Sequence, residues 1–250
     1  MAEFEGIRAK LYKEAFRDFP NARKHDLEIM KKHLAPKPGE IILEVGAGNG
    51  LFSGTIADLI GNAGELIVSD PSSEQLDGVV ELGKQNIKIV QSYAATLELE
   101  DNIVEAIWSY GAVHHTFYKT KMFQIFYKTL RPGGRVVIGD VFVGSALAKH
   151  FDDKVAKYCA TGHEVTFLSK EYAETLCFLA GFKQPTFQDI NALWEFNSKE
   201  DIGNFLYKLH AMTKTTPREC LAGAEEILGI IKQNNKYFLN WPMTMMLTSK

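Results

Sequence analysis

Cysteine is scarce in this chain of 250 residues, which contains three: Cys159, Cys177 and Cys220. No two of them form a Cys-x-x-Cys pair, and an odd number of thiols is a poor framework for disulfides, so we expect a reducing compartment. No apolar run approaches the roughly 20 residues that cross a bilayer, and residues 1–19 lack the apolar core of a signal peptide. These absences predict a cytoplasmic protein with no membrane partner.

Concentrated positive charge is also missing from the sequence. Lys and Arg total 28, Asp and Glu total 31, and the formal net charge is −3. Non-specific binding of nucleic acid needs a dense basic run, so we expect no nucleic-acid partner. The hydrophobic fraction of 46% is ordinary for a globular protein, and the length allows one large domain with a full core.

The chain does have a regular alternation of short apolar runs with amphipathic segments. The runs that predict strands are 41–45, 66–69, 87–90, 106–109, 135–142, 186–190 and 238–248. Alternation of strands and helices with short connections predicts an α/β fold whose mostly parallel sheet is covered on both faces. Pro242 predicts that the last strand is irregular or lies at an edge of the sheet.

The most informative segment joins the first strand to its helix and reads Glu44-Val45-Gly46-Ala47-Gly48-Asn49-Gly50. Glycines in such a turn permit positive φ and let a ligand approach the backbone closely. The dinucleotide fingerprint needs its third glycine at position 51, where this chain has Leu51. An acid at the strand end would repel a pyrophosphate, so Glu44 favours a cationic ligand, such as a sulfonium that carries an ammonium group.

Asp70 ends the second predicted strand, 20 residues after Gly50. A carboxylate in this place can accept hydrogen bonds from both hydroxyls of a ribose, as in nucleotide-binding α/β folds. The alternative interpretation is that Asp70 only begins the turn at Pro71.

Taken in order, these segments resemble the motifs of class I S-adenosylmethionine-dependent methyltransferases. The matching segments are 41–50, 68–71, 100–107, 111–115 and 130–134. Residues 111–115 resemble the small-molecule branch that includes ubiquinone-pathway enzymes (methyltransferase types 11 and 25). The resemblance implies a Rossmann-like, seven-stranded, mostly parallel sheet with helices on both faces, an antiparallel last strand and helical lid segments.

The resemblance also implies one methyltransferase domain over residues 1–250, which acts as a monomer or homodimer. Within it, we expect an N-terminal helical cap at 1–34 and a cofactor-binding core at 35–190. The core contains an insert at about 144–168, and residues 191–250 supply a lid segment and the final helix and strand.

The family pattern assigns S-adenosylmethionine contacts to eleven residues: Glu44, Gly46, Ala47, Gly48, Asn49, Gly50, Asp70, Pro71, Ala94, Ser109 and Tyr110. Glu44 would lie near the methionine amino group, the turn would line the methionine and ribose, and Asp70 would hold the ribose hydroxyls. Pro71 and Ala94 would contact the adenine, and Ser109 and Tyr110 would lie near the methionine backbone. Many relatives have an Asp where this chain has Tyr93, so either Tyr93 replaces it or the backbone holds the adenine.

His114 and His115 follow the fourth strand, where the family places its substrate. A histidine there is a candidate general base near neutral pH, and the alternative is that the pair only shapes the loop. No cluster of His, Cys and Asp has the spacing of metal ligands, so we expect no metal. Cys159 lies in an insert that loosely resembles arsenite methyltransferases, which need several thiols.

The expected function is transfer of a methyl group from S-adenosylmethionine to an O, N or C atom of a small molecule. One alternative is an enzyme of the same fold that uses this cofactor for cyclisation or aminocarboxypropyl transfer. Another is a non-catalytic cofactor-binding module, and a protein or carrier-bound substrate also remains open. Fold alone does not identify the substrate.

Overall fold

The computed structural model describes residues 3–250, and within them eight strands form one sheet. The strands are β1 (Ile41–Val45), β2 (Glu65–Asp70), β3 (Ile87–Gln91), β4 (Val104–Tyr110), β5 (Leu130–Asp140), β6 (Thr186–Phe196), β7 (Ile230–Gln233) and β8 (Lys236–Ser249). The α-helices are α1 (Ile7–Asp18), α2 (Lys24–Leu34), α3 (Ser53–Ile60), α4 (Ser73–Glu81), α5 (Lys119–Thr129), α6 (Ala146–His150), α7 (Ala156–Tyr158), α8 (Lys170–Ala180), α9 (Lys199–Leu209) and α10 (Pro217–Ile227). A 3₁₀ turn, Val113–His115, follows β4, and a π-helix, Phe151–Val155, joins α6 to α7.

The strand order is β3-β2-β1-β4-β5-β8-β6, and β7 pairs with β8 outside this path. Strands β1 to β5 pair in parallel, whereas β8 runs antiparallel to β5. The chain moves outward from β1 to β3 and then returns to the other side of β1 with β4. The strand order therefore reverses between β1 and β4, which is the place where open α/β sheets bind ligands.

The structure divides into two compact units. The core unit comprises residues 30–141, 165–189 and 244–250, and the second unit comprises the residues up to Ile29 with 142–164 and 190–243. Strands β6 and β8 each contribute residues to both units. None of the helices within residues 3–250 is long and apolar enough to cross a membrane.

The core unit is built on the central strands. Ile42 and Leu43 of β1 and Ile107 and Trp108 of β4 are wholly buried, as expected for strands that helices cover on both faces. Helix α4 begins where the Ser72 hydroxyl accepts a hydrogen bond from the Gln75 amide, which satisfies one of the free N–H groups of the first turn.

The second unit is mainly helical. Helix α9 packs between α1 and α10, and α10 also packs against α6. Both α9 and α10 begin with capping boxes, at Ser198 and Thr216, in which the side chains of the first turn satisfy backbone N–H groups reciprocally.

All three cysteines are free and buried. Cys177 lies on α8 in the core unit, and Cys159 and Cys220 lie in the second unit. Burial raises the pKa of Cys177 and of Cys220 to about 12, which keeps both thiols protonated at neutral pH.

The predicted architecture is confirmed, with local corrections. The main path contains the seven expected strands, and β7 is an additional strand that the sequence pattern does not predict. The sixth strand extends to Phe196 rather than 190, so the region at 191–250, where we expected the lid segment, begins as strand. Strand β8 lies between β5 and β6, so Pro242 does not mark an edge strand.

The fifth strand begins at Leu130 rather than at Arg135. Val104 pairs with Leu130 and Ala106 with Arg135, so residues 131–134 bulge from the ladder. Pro132 lacks an N–H, and Gly133 adopts a φ of 78°, which explains why this stretch cannot continue a regular ladder.

Candidate functional site

The candidate site lies in the core unit, at the carboxyl ends of the parallel strands. Strands β1, β2, β4 and β5 end at Val45, Asp70, Tyr110 and Asp140. Because these strands pair in parallel, their final residues meet at one edge of the sheet, beside the reversal of strand order.

The glycine turn is held in place by backbone hydrogen bonds. The amides of Gly46 and Ala47 donate to the Ser69 carbonyl over 2.7 and 3.2 Å, and the Gly50 amide donates to the Ala47 carbonyl over 3.1 Å. Gly46, Gly48 and Gly50 have φ values of 71°, 55° and 85°, a region that other residues adopt at a cost. A Cβ on Gly46 would also overlap the Cβ of Ala112.

Asp70 connects the glycine turn to helix α4. One carboxylate oxygen accepts from the Gly48 amide and the other from the Ser72 amide, both over 2.9 Å. Burial raises the pKa of Asp70, and these two hydrogen bonds partly oppose the shift. Each carboxylate oxygen has a second lone pair, so Asp70 can still accept two hydrogen bonds from a ligand.

Glu44 is almost wholly buried, with 1% of its surface exposed. Ser53 donates to Oε2 over 2.5 Å, and Oε1 has no hydrogen-bond partner among residues 3–250. Burial raises the pKa of Glu44 to about 8; the Ser53 hydrogen bond opposes the shift and the charge of Asp70 adds to it. A cationic group beside Oε1 would favour the ionised form of Glu44.

The segment expected near the adenine follows β3. Ala94 and Ala95 are buried, whereas Tyr93 is 51% exposed. The Tyr93 carbonyl accepts from the Thr96 amide and thereby closes a turn. The Pro71 carbonyl accepts from the Gln91 side chain over 3.2 Å. The exposure of Tyr93 argues against a packing role for its ring.

Ser109 and Tyr110 have structural partners at the end of β4. The Ser109 hydroxyl donates to the Val45 carbonyl over 2.9 Å, which ties β4 to β1. The Tyr110 ring stacks on Trp108 at 5.5 Å and contacts the edge of Phe52 at 5.2 Å. Any contact of Ser109 with a ligand would therefore involve its backbone or the remaining lone pair of its hydroxyl.

His114 forms a buried pair with Asp140, a residue that sequence reasoning missed. His114 Nδ1 lies 2.6 Å from Asp140 Oδ1, and the His114 amide donates to Asp140 Oδ2 over 3.1 Å. Burial alone would raise the pKa of Asp140. The charge and hydrogen bond of His114, with the amides of Val141 and His114, outweigh burial and lower the pKa. Asp140 is therefore ionised at neutral pH.

His115 is placed differently from its neighbour. Its ring centroid lies 4.1 Å from that of His114, with the two planes tilted by 40°. His115 is half-buried, whereas His114 is 4% exposed. The arrangement with a carboxylate partner therefore distinguishes His114 as the stronger candidate for proton transfer.

A buried lysine supports the turn that carries His114. Lys119 donates to the Thr116 carbonyl and to the Thr166 hydroxyl, both over 2.6 Å, and the Thr166 amide donates to the His114 carbonyl. Burial lowers the pKa of Lys119 to about 8, and the charge of Asp140 opposes the shift. These hydrogen bonds fix the backbone from His114 to Thr116.

The sequence contained one signal for Asp140. An apolar strand that ends in an acid places a carboxylate at the ligand edge of the sheet, as Asp70 does on β2. His114 and Asp140 are 26 positions apart in the sequence. This separation hides their contact, because only the parallel pairing of β4 with β5 brings the two strand ends together.

The second unit contains several aromatic side chains that pack against one another. Phe151 lies 5.0 Å from the ring of His163 and 5.3 Å from that of His210. Trp194 stacks on Trp241 at 4.0 Å. Phe117 and Tyr118, in the core unit, are largely exposed instead.

Residues 42–134 match the family model described as a methyltransferase domain. The chain is 26% identical over 228 residues to phosphoethanolamine N-methyltransferase 2 of Caenorhabditis elegans, which covers 89% of this chain and 51% of that protein. It is 28% identical over 107 residues to the ubiquinone/menaquinone biosynthesis C-methyltransferase UbiE of Haemophilus ducreyi, covering 41% of each. The chain spans about half the length of the curated relatives it matches first.

The fold is also similar to that of a solved structure, phosphoethanolamine N-methyltransferase 2 of Haemonchus contortus in complex with phosphomonomethylethanolamine and S-adenosylhomocysteine. The TM-score is 0.67 at 18% identity, and the match covers 97% of this chain and 56% of that one. The resemblance inferred from the motifs is thus confirmed over residues 42–134, which match the model of a methyltransferase domain.

Proposed function

We propose that this protein is an S-adenosylmethionine-dependent methyltransferase that acts on a small molecule. The observation that carries the proposal is the pair of buried carboxyl groups, Glu44 and Asp70, on either side of a glycine turn at the reversal of strand order. The turn leaves no room for a side chain at Gly46, and Glu44, on the strand that leads into the turn, has a buried acceptor oxygen, Oε1. These features fit a ligand with an ammonium group and a ribose.

We assign the cofactor contacts as the resemblance implies. Glu44 would hold the ammonium group, and Asp70 would accept from the ribose hydroxyls while it keeps its hydrogen bonds to the Gly48 and Ser72 amides. The remaining contacts would come from Gly46, Ala47, Gly48, Asn49, Gly50, Pro71, Ala94, Ser109 and Tyr110. When bound, S-adenosylmethionine supplies an electrophilic methyl group on a sulfonium.

The protein's own contribution to the reaction is proton removal from the acceptor. Asp140 is ionised and would accept from Nδ1–H of a neutral His114, so that Nε2 would be the ring nitrogen that takes up the proton. Neutral histidine is suited to this task near physiological pH. The pair therefore favours an acceptor atom that carries a proton, and His115 would shape the site beside it.

The wider organisation also follows the resemblance. We propose that residues 1–250 act as one methyltransferase domain with the cap, core, insert and lid boundaries given above, as a monomer or homodimer in the cytoplasm. The relatives named for phosphoethanolamine and for a quinone pathway support a small-molecule acceptor.

Calorimetric titration with S-adenosylmethionine and S-adenosylhomocysteine tests the cofactor site. We expect micromolar binding of both by the wild-type protein and at least tenfold weaker binding by Asp70→Ala, since the ribose hydroxyls lose their acceptor. Asp101→Ala is the matched control, because Asp101 is an exposed residue that forms a surface ion pair with Lys128. Wild-type protein that is folded and binds neither compound would contradict the proposal.

A further inference from the structure

Gln75 has an unusual environment for an amide side chain. It is 1% exposed, and neither Oε1 nor Nε2 has a hydrogen-bond partner in the described part of the chain. A buried amide without partners is costly, because it gives up its hydrogen bonds to water and gains none in return. Such a group is a candidate for contact with a ligand.

Gln75 belongs to the first turn of α4, which is joined directly to the candidate cofactor site. The backbone N–H of Gln75 donates to the Ser72 hydroxyl over 3.2 Å, and the backbone N–H of Ser72 donates in turn to the Asp70 carboxylate. Gln75 is therefore two hydrogen bonds away from the carboxylate that we assign to the ribose.

The face of α4 that carries Gln75 packs on the glycine turn. A Cβ on Gly78 would lie 2.6 Å from the Asn49 carbonyl oxygen, and a Cβ on Gly50 would lie 3.1 Å from Val79 Cγ2. Residues 75, 78 and 79 share one face of the helix, because positions three and four apart are neighbours on a helical surface. The Gln75 side chain thus belongs to the face of α4 that meets the glycine turn.

The chemistry of the amide matches the base of an adenine nucleoside. An amide offers an acceptor oxygen and a donor NH₂ side by side. Adenine presents the complementary pair, a donating 6-amino group beside an accepting ring nitrogen, and glutamine is a recurrent bidentate partner of that edge. Tyr93, on the segment expected near the adenine, is largely exposed.

We propose that Gln75 is a specificity residue of the cofactor site, whose amide forms two hydrogen bonds with the 6-amino edge of the adenine. The proposal rests on the proposed function, since it requires that the adenosyl cofactor bind at the glycine turn. In this proposal, a side chain of α4 recognises the adenine base directly.

The test is a cycle of binding measurements with two ligands and two proteins. The ligands are S-adenosylhomocysteine and its analogue that has hydrogen in place of the 6-amino group. The wild-type protein should bind the analogue about 5- to 100-fold more weakly, in the range of a good bidentate contact with a base. Gln75→Met, which keeps the length of the side chain, should bind S-adenosylhomocysteine more weakly and should lose most of this discrimination.

Two further measurements exclude a merely structural role. Without ligand, Gln75→Met should melt at the same temperature as the wild type or higher, because it removes an unpaired buried amide. Gln85→Met, at an exposed position of the same unit, should leave both the affinity and the discrimination unchanged.

The outcomes separate this proposal from the proposed function. If both ligands bind and Gln75→Met discriminates between them as strongly as the wild type, the inference about Gln75 is wrong and the cofactor site stands. If folded wild-type protein binds neither ligand nor S-adenosylmethionine, the proposed function itself fails.

Discussion

At the scale of single residues, two buried carboxyl groups of the core unit have opposite protonation. Glu44 accepts one hydrogen bond, from Ser53, and burial raises its pKa to about 8. Asp140 is equally buried, but His114 and two backbone amides lower its pKa. The two pKa values differ because more hydrogen-bond donors surround Asp140 than Glu44. One protein can therefore hold a protonated and an ionised carboxyl group at the same pH.

The raised pKa of Glu44 predicts that cofactor binding releases a proton. In the free protein Glu44 is protonated below about pH 8, and an ammonium group beside it would favour the ionised form. At pH 7, calorimetry in buffers of different ionisation enthalpy should detect release approaching one proton per S-adenosylmethionine bound. The release should vanish in Glu44→Gln. Equal proton release by the two proteins would contradict this role for Glu44.

The His114–Asp140 pair predicts a defined tautomer. Nitrogen NMR of the wild type at high pH should place the proton of neutral His114 on Nδ1, facing the Asp140 carboxylate. Asp140→Asn should mix the tautomers and, once an acceptor is known, slow methyl transfer by about 10²-fold or more. Affinity for S-adenosylhomocysteine should be retained.

The test of the His114 tautomer has a control variant and a result that would contradict the prediction. Asp101→Asn, at an exposed position, should change neither the tautomer nor the rate. Wild-type His114 that carries its proton on Nε2 would show that the pair does not present a base to the acceptor.

At the scale of elements, the contact of α4 with the glycine turn sets the geometry of the site. Gly78 allows the helix to approach the Asn49 carbonyl, and a Cβ there would lie 2.6 Å from that oxygen. Asp70 then joins the same two elements through the Gly48 and Ser72 amides. The turn and the helix therefore form one structural element of the proposed cofactor site.

Two alanine substitutions in neighbouring helices should therefore have opposite effects. Gly54→Ala on α3 meets only ordinary contacts and should be neutral or stabilise the protein by up to about 1 kcal/mol. Gly78→Ala should destabilise it by about 1–3 kcal/mol because it overpacks the turn. Denaturant unfolding measures both changes, and Gly78→Ala should also weaken binding of S-adenosylhomocysteine. A Gly78→Ala protein as stable as the Gly54→Ala protein would contradict the proposed packing.

Elements with a local signal could be predicted from the sequence. The caps at Ser72 and Ser169, the stop at Gly181 and the strand before the glycine turn all appear in the structure. The short strand β7 could not be predicted, because its four residues gain their hydrogen bonds only by pairing with β8. The insert expected at about 144–168 contains a π-helical segment, Phe151–Val155, which propensity and periodicity do not encode.

Some residues of the candidate site could likewise be predicted from the sequence, and others could not. Asp70 and the glycine turn occupy consecutive strand ends, so a sequence motif can reveal them. Asp140 and Gln75 have no motif of their own: one is identified by its contact with His114, and the other by the absence of a partner within residues 3–250. Both kinds of information require coordinates of side chains.

At the scale of the whole molecule, each of the two units is built from separate stretches of the chain. The second unit consists of three separate stretches, and two of them lie between stretches of the core unit. Neither unit can therefore be produced as one continuous fragment, which is why the sequence shows no linker between them.

The buried cysteines can report the unfolding of each unit separately, because both units contain at least one of them. Cys177 belongs to the core unit, and Cys159 and Cys220 belong to the second unit. A thiol-alkylating reagent can modify each cysteine only after its surroundings open, so peptide mass mapping during mild denaturation would time the opening of the two units separately. Simultaneous alkylation would mean that they unfold as one cooperative body, and early alkylation of Cys159 and Cys220 would mean that the second unit opens while the core unit stays closed.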